Sequence, residues 1–265
     1  MSYSPTAPLR RAAVALAAMA ACAGAYAANT FTFDPAAAGL AGTSFTADNV
    51  LISDYSTVTF DGSGGFTETG FLPITNFQLG GTLVTADGLN STYGLYVSYT
   101  ASGTTTAGDP TTTPTIATFT DLTYTLYGYN GPAATFGFAA DNTPTETASG
   151  EVTLATGDLI SGYGFTLPAP GTTGGFSAGA NMAVTFNTVL DGFFVSPSPF
   201  YDQASAIFGH TPNQVVAFDG GFRVEQGGGP LNFNFAPAIP EPETYMLMLA
   251  GLAAVGFIGR RRRAD

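Results

Sequence analysis

The 265-residue sequence contains no lysine, no tryptophan, one cysteine and one histidine. Without lysine the chain cannot form a catalytic Schiff base or a P-loop, because both need that side chain. A single histidine cannot supply a histidine-rich metal site. The lone cysteine, Cys22, offers no disulfide framework, but a chain of this length buries enough apolar surface to fold without cross-links.

Basic residues are concentrated at the two ends of the chain. Six of the seven arginines lie in two terminal clusters, and Arg223 is the only one elsewhere. Three of the 19 acidic residues belong to the C-terminal tail, which leaves 16 acids between residues 28 and 239 and a formal net charge of −15 there. Such a surface repels phosphates, so we expect no nucleic-acid partner. It suits an exported protein that must stay soluble.

The N-terminal residues have the three parts of a secretory signal peptide. Two arginines supply positive charge, an alanine-rich stretch too short to span a bilayer follows, and Ala25 and Ala27 form a small-x-small cleavage site. We therefore expect signal peptidase to remove residues 1–27. Alternatively, Met19-Ala20-Ala21-Cys22 resembles a lipobox, which would place a lipid on Cys22.

Three consecutive segments near the C-terminus form a tail. An acidic kink containing prolines is followed by an uncharged apolar segment and then by an arginine cluster: Pro240, Glu241 and Pro242; Thr244 to Gly259; Arg260, Arg261, Arg262 and Arg263. The apolar segment is slightly shorter than the roughly 20 residues of a spanning helix. Arginines stay on the cytoplasmic side, so we expect one transmembrane helix with the C-terminus inside.

This tail, residues 237–265, resembles the PEP-CTERM sorting signal of Gram-negative bacteria. The resemblance implies recognition by an exosortase, a membrane-embedded cysteine transpeptidase that removes the tail after transient anchoring in the membrane. It also implies export across the inner membrane, to the cell surface or to an extracellular matrix that contains exopolysaccharide. The alternative is an ordinary single-pass anchor that is never cut.

Between the two terminal segments, residues 28–236 alternate apolar and polar residues with period two, the pattern of half-buried strands. About ten short strands with Gly/Pro turns predict one all-β domain, an antiparallel β-sandwich. Residues 201–208 are the one predicted short helix. Asn232–Phe235 mirrors Thr30–Phe33, which suggests that the first and last strands lie in one sheet.

Nucleophilic catalysis has little support in the sequence. His210 lies in a Gly/Pro-rich stretch, where a lone histidine is usually a surface residue. Gly175-Phe176-Ser177-Ala178-Gly179 matches the Gly-x-Ser-x-Gly pattern, and Asp191 or Asp202 precedes His210 as in hydrolases, but the strand–turn–helix context is missing. We therefore expect a chance match.

Acidic residues give no clear site either. Six carboxylates could pair as in glycoside hydrolases, although acids in turns are more often solvated: Asp54, Asp61, Glu68, Glu146, Glu151 and Glu225. Two acidic glycine loops, residues 61–65 and 219–221, do not fit a calcium-binding loop. We expect no catalytic, cofactor-binding or metal-binding residues, and no enzyme.

Four aromatic segments of the body give a second resemblance, to the flocculation-associated PEP-CTERM proteins of floc-forming β-proteobacteria: Phe31–Pro35, Ile74–Leu79, Asn90–Tyr96 and Asn232–Phe235. It implies aggregation of cells within an exopolysaccharide matrix, with polysaccharide or neighbouring cell surfaces as partners. Two alternatives stay open, a secreted hydrolase and a carbohydrate-binding module whose stacking residues are tyrosines: Tyr93, Tyr96, Tyr99, Tyr124 and Tyr127.

Overall fold

A computed structural model describes residues 29–106, 111–169 and 175–234. Two short 3₁₀ helices, Pro35–Ala38 and Pro212–Gln214, lie among strands that are numbered in chain order: β1 (Phe31–Phe33), β2 (Phe45–Ala47), β3 (Asn49–Phe60), β4 (Gly65–Leu79), β5 (Thr82–Leu83), β6 (Tyr93–Thr105), β7 (Thr115–Asn130), β8 (Phe136–Phe138), β9 (Pro144–Glu146), β10 (Val152–Pro168), β11 (Phe176–Thr185), β12 (Thr188–Val189), β13 (Phe194–Ser196), β14 (Gln203–His210), β15 (Val215–Phe218) and β16 (Gly221–Asn234).

Eight of these strands form a closed antiparallel barrel in the order β3-β4-β6-β7-β10-β11-β14-β16, with β16 pairing back to β3. The prediction of an all-β fold is confirmed, but the prediction of a sandwich is wrong. Pairing of β10 with β11 completes the ring. Period-two alternation shows that one face of each strand is buried, but it does not show whether a second sheet or the far wall of the same sheet covers that face.

The strands of the barrel owe their register to the side chains that point inward. On β3 the buried residues alternate strictly, and the same two-residue period recurs on β4, β6 and β14. Most inward residues are aliphatic or aromatic, so their burial stabilises the barrel by about 25 cal/mol per Å² of apolar surface removed from water. A slip of one residue would turn this apolar set to solvent.

A three-stranded sheet, β13-β1-β2, packs its phenylalanines against one end of the barrel. Phe33 stacks on Phe193 and meets Phe77 and Phe233 edge to face. The suggestion that the first and last strands share a sheet is wrong, because β1 and β16 belong to different sheets. The two segments meet through side chains instead, with the Phe31 and Phe233 rings 4.8 Å apart.

The helix predicted at residues 201–208 is also wrong. Gln203–His210 is strand β14, in which Ala204, Ala206, Phe208 and His210 are buried in alternation. Pairing with β11 on one side and β16 on the other supplies its backbone hydrogen bonds. Residues 155–166, which the pattern analysis left unassigned, form most of β10.

The predicted signal peptide (residues 1–27) and sorting tail (residues 237–265) lie outside the described residues, and so do Ala25, Ala27 and the tail residues from Pro240 to Arg263. Their boundaries therefore stay predictions. Across residues 29–106, 111–169 and 175–234, no helix has the length and apolar character to cross a bilayer.

Candidate functional site

The inward face of β3 carries two polar residues in the middle of an apolar row. Val50, Ile52 and Val58 point into the barrel, and so do Asp54 and Ser56, both buried. Because successive side chains point to opposite faces of a strand, Asp54 and Ser56 lie on the same inward face as these apolar residues. The sequence thus places a carboxylate and a hydroxyl in the barrel core.

Three further polar side chains meet them inside the barrel, and we call Asp54, Ser56, Glu68, Tyr99 and His210 the polar cluster. The Nε2 atom of His210 lies 3.2 Å from Oδ2 of Asp54. The Tyr99 hydroxyl donates a hydrogen bond of 2.7 Å to Oε1 of Glu68. His210 and Asp54 are only 7% and 3% exposed, so the expectation of a surface histidine is wrong. His210 is the last residue of β14, and it points inward like every second residue of that strand. The neighbouring Gly and Pro residues gave no sign of this.

Burial changes the acid–base properties of this cluster. Withdrawal from water, reinforced by the negative charge of Asp54, raises the pKa of Glu68 from the usual 4.5 to about 7, although the hydrogen bond from Tyr99 acts in the opposite direction. Burial, followed by the negative charge of Asp54, raises the pKa of Tyr99 well above its ordinary value. Tyr99 therefore stays a neutral hydrogen-bond donor, whereas Glu68 changes charge near neutral pH.

Several polar atoms of the cluster have unused hydrogen-bonding capacity. Asp54 Oδ1, Ser56 Oγ and His210 Nδ1 are buried and have no partner among the described residues. Glu68 and His210 border a cavity of about 60 Å³, whose remaining wall is largely phenylalanine, valine, alanine and threonine. Buried polar atoms normally find a partner, and of these three residues His210 is the one that borders this cavity.

A second cavity, of about 70 Å³, lies on the other side of Tyr99 and is lined by aliphatic and aromatic residues. Both volumes are far below the roughly 300–1,000 Å³ of pockets that hold drug-sized ligands. A polysaccharide chain therefore does not fit in the barrel, and any contact with one must use the outer surface.

A glycine on β16 makes room for His210. Gly227 lies opposite Asp54 in the β16–β3 register, next to a bulge at Gln226, whose φ is 58°. A Cβ atom at Gly227 would collide with Nδ1 of His210. On the β3–β4 pair, Gly70 lies opposite Ser56, and a Cβ there would press on the Ser56 and Tyr99 side chains. Glycine thus faces the cluster from two neighbouring strands.

The Gly-x-Ser-x-Gly match does not form a nucleophile elbow. Residues 176–179 belong to strand β11, and Ser177 lies on its outward side, where its hydroxyl donates to the carbonyl of Leu167 at 3.4 Å. His210 points into the barrel, and Asp54 is its carboxylate partner. Asp191 and Asp202 are exposed. The geometry thus separates Ser177 from His210 on opposite faces of the barrel wall.

The structure brings together only two of the six candidate carboxylates, Asp54 and Glu68. Asp61 is exposed, and hydrogen bonds from the backbone of Ser63, followed by that of Gly65, lower its pKa. Glu151 is exposed, and the Glu146 carboxylate accepts a hydrogen bond from the backbone of Ala148. In the part of the chain that the structure describes, no group of three or more His, Cys, Asp or Glu side chains could hold a metal ion.

The sixth carboxylate, Glu225, belongs to a contact that joins the β8–β9 hairpin to the outside of the barrel. Nε of Arg223 lies 2.7 Å from Oε1 of Glu225. Nη1 of Arg223 donates to the Asn142 side chain at 2.6 Å, and its guanidinium carbon is 5.2 Å from the centre of the Phe138 ring. The one arginine outside the terminal clusters is thus occupied on the outer surface and does not neutralise the acids inside.

None of the five tyrosines predicted as sugar-stacking platforms is fully exposed. Tyr93, Tyr96 and Tyr99 are buried, and Tyr124 and Tyr127 are half-buried. Alternation alone did not separate inward from outward aromatic residues, and Tyr96 is covered from outside by Phe136 of β8. Sequence reasoning missed Tyr163 and Phe165 of β10, whose side chains are 52% and 38% exposed.

Tyr163 and Phe165 belong to a continuous outward patch, here called the outer apolar face, made of Ile116, Tyr163, Phe165, Leu167 and Ile207. Phe165 lies opposite Ile116 on β7. Tyr163 and Ile207 both lie opposite Asn181 of β11, whose amide donates to the Tyr163 hydroxyl at 3.2 Å. None of these residues is charged, so the face combines aromatic and aliphatic surface with an amide.

Comparison with known protein families finds one match in this chain. The PEP-CTERM protein-sorting motif matches residues 238–263. The resemblance of the tail to this sorting signal is therefore confirmed, and the motif supports an exported protein that is anchored in a membrane before an exosortase acts on it. No curated protein and no solved structure shows significant similarity to the chain.

Proposed function

We propose that this PEP-CTERM-bearing chain is a non-enzymatic protein of the bacterial cell surface or extracellular matrix that promotes cell aggregation within exopolysaccharide. The sorting motif at residues 238–263 is the observation that carries the proposal. It supports delivery to the outside of the cell, where the polypeptide between the two terminal segments acts. The resemblance of its aromatic segments to flocculation-associated proteins supports the role in aggregation.

The outer apolar face supports polysaccharide as the partner. Sugar rings present apolar C–H surfaces that pack on exposed aromatic side chains, and their hydroxyls bond to amide groups nearby. Tyr163 and Phe165 supply the rings, and Asn181 supplies the amide. The cavities inside the barrel are too small for a saccharide chain, which favours binding on the outer surface.

Aggregation then depends on many weak contacts. Display of numerous copies on each cell makes such contacts multivalent, which raises the overall avidity without any tight single site. The formal charge of −15 on residues 28–239 repels similar surfaces. Monovalent salt screens that repulsion, and divalent cations that bridge carboxylates oppose it.

Gene deletion with complementation tests this proposal. We expect deletion to disperse the cells while polysaccharide is still made, and we expect the wild-type gene to restore flocs. A Tyr163→Ala/Phe165→Ala variant should be exported normally but restore flocs poorly. The matched control is Leu83→Ala/Val195→Ala, which removes two exposed apolar side chains elsewhere and should restore flocs fully. Normal flocs in the deletion strain would refute the adhesive role.

A carbohydrate-binding module without a role in aggregation is the second candidate, since the same exposed aromatic residues favour it. Purified protein should bind isolated exopolysaccharide in a pull-down under either proposal. The two differ in the deletion strain, because a binding module alone predicts normal settling of cells. A secreted hydrolase is disfavoured, and Ser177→Ala is expected to restore flocs as well as the wild type does.

A further inference from the structure

Glu68 and His210 offer hydrogen-bond acceptors to the cavity beside the polar cluster, and the other polar side chains that line it are the hydroxyls of Thr105, Thr115 and Thr166, the last two bonded to each other. Nε2 of His210 faces Asp54 at 3.2 Å, so in the neutral ring the hydrogen is assigned to Nε2 and Nδ1 becomes a bare acceptor. Asp54 Oδ1 is a second buried atom without a partner in the described part of the chain. Glu68 uses one oxygen to accept from Tyr99 and has another. Of these groups, His210 and Glu68 border the cavity and can accept from a donor placed in it.

The polar cluster beside the cavity is acidic. Asp54 and Glu68 are both acids, and the only other titratable groups of the cluster are His210 and Tyr99. Arg223 is paired with Glu225 on the outer surface, and the chain has no lysine. When Glu68 is ionised, the barrel holds two carboxylates that a single histidine can neutralise only in part. A bound positive charge would remove this imbalance.

The rest of the wall suits a cation that also has apolar surface. Phe60, Phe66, Phe119 and Phe222 all border the cavity, and the Phe66 and Phe119 rings lie 5.3 Å apart. Aromatic faces attract cations, most strongly where water is excluded. A wall of phenylalanines next to a carboxylate is the combination that recognises an organic ammonium group.

We propose that this cavity is a binding site for a small protonated amine, of the size of ammonium or methylammonium. Its N–H groups donate to Glu68 and His210, its charge compensates the two carboxylates, and its methyl group packs among the phenylalanines. The volume of about 60 Å³ holds a few water molecules at most, which limits the ligand to this size. An anion is repelled, and a metal ion lacks a three-ligand set among the described residues.

The single histidine makes a direct test possible. In the processed protein, purified without an affinity tag, His210 gives the only imidazole signals in a proton–nitrogen or proton–carbon NMR spectrum. Methylammonium chloride is added at pH 8, with sodium chloride at equal ionic strength and methanol at equal concentration as controls. We expect a saturable shift of the His210 signals with methylammonium alone. Below a pH of about 7 the affinity should fall by about tenfold per pH unit, as Glu68 takes up a proton.

Matched variants identify the residue responsible. Glu68→Gln should weaken binding at pH 8 by at least about tenfold and abolish its pH dependence. Glu151→Gln, which neutralises an exposed acid, should bind as the wild type does. If Glu68→Gln does not fold, Tyr99→Phe replaces it: this variant loses the hydrogen bond that lowers the pKa of Glu68, so its binding should be lost at a higher pH than that of the wild type, and an unchanged pH dependence would contradict the proposal.

Three results would overturn the proposal. The first is the absence of a saturable response to methylammonium, which would mean that water alone occupies the cavity. The second is an equal response to sodium chloride or to methanol. The third is unchanged affinity in Glu68→Gln at pH 8.

Discussion

The His210 and Asp54 side chains are in contact across a strand that separates them. His210 lies on β14 and Asp54 on β3, with β16 hydrogen-bonded between the two. Nε2 of His210 nevertheless reaches Oδ2 of Asp54 at 3.2 Å. The residue of β16 opposite Asp54 is Gly227, and its missing side chain leaves the space through which the imidazole crosses.

The first prediction concerns this glycine. Gly227→Ala should destabilise the protein by about 1–3 kcal/mol, the usual range for overpacking a core, because the new methyl group would collide with the His210 ring. The φ angle of Gly227 is not positive, so backbone strain adds nothing to this effect. Urea unfolding followed by circular dichroism measures the change.

Gly209→Ala is the matched control for Gly227→Ala. Gly209 lies on β14 beside His210, and a Cβ atom there has no neighbour within 4 Å. Its stability should stay within about 0.5 kcal/mol of the wild type. Equal stabilities of the two variants would mean that Gly227 is not what makes room for His210.

The inward residues of β3 illustrate how much of the fold could be predicted from the sequence. The spacing of Ile52, Val58 and Phe60 predicts that they share one face of a strand, and that face points into the barrel. Asp54 and Ser56 lie an even number of positions from these residues, so they share the inward face and interrupt its row of apolar side chains. Local turn chemistry, in which acids favour solvated positions, predicts an exposed Asp54. The structure follows the alternation of the strand instead.

Other features depend on contacts between residues distant in sequence. Closure of the barrel needs the pairing of β16 with β3, about 170 residues apart, in addition to the pairings between consecutive strands, and no pattern within a strand encodes that ring. Likewise, Tyr96 and Tyr163 both lie on the outer side of a strand, but Phe136 of the β8–β9 hairpin covers Tyr96, whereas Tyr163 is 52% exposed. Burial of an aromatic residue was therefore not predictable from alternation.

The second prediction concerns pH. The pKa of Glu68 is about 7 in the folded protein and near 4.5 when unfolded, so the folded state binds the extra proton between these values. This proton makes its full contribution to the free energy of unfolding below pH 4.5, and the contribution is lost as the pH rises through about 7. The slope is at most about 1.4 kcal/mol per pH unit for one group, and partial access of Glu68 to water reduces it.

Glu68→Gln isolates this contribution. The variant keeps a neutral side chain at all pH values, so its free energy of unfolding should fall less between pH 4.5 and 7 than that of the wild type. Above pH 7 it should be the more stable of the two. Urea titrations at several pH values measure both effects. Parallel stability curves for the two proteins would show that Glu68 does not titrate in this range.

The third prediction concerns the β8–β9 hairpin. Arg223→Gln removes the ion pair with Glu225, the hydrogen bond to Asn142 and the contact with the Phe138 ring. Because each contact is partly solvent-exposed, we expect a loss of only about 1 kcal/mol in total. The loss should appear as faster amide hydrogen exchange in the hairpin, while exchange in the barrel strands stays slow.

Arg223→Lys provides the comparison for Arg223→Gln. Lysine keeps the positive charge but lacks the planar fork that contacts three partners at once, so its exchange rates should be intermediate. Uniform acceleration of exchange throughout the barrel in Arg223→Gln would mean that Arg223 stabilises the whole domain and does more than anchor the hairpin.

The last prediction concerns the sorting tail. Proline fixes the backbone and cannot continue a helix, so Pro240 and Pro242 should hold Glu241 outside the predicted transmembrane helix, where an exosortase can reach it. Glu241→Ala should therefore accumulate as an uncut, membrane-held precursor, whereas Glu243→Ala, which removes an acid outside the Pro-Glu-Pro core, should mature. Membrane fractionation and immunoblotting of exported protein distinguish precursor from product by size. Normal maturation of Glu241→Ala would mean that the tail is cut by a route that does not depend on the Pro-Glu-Pro kink.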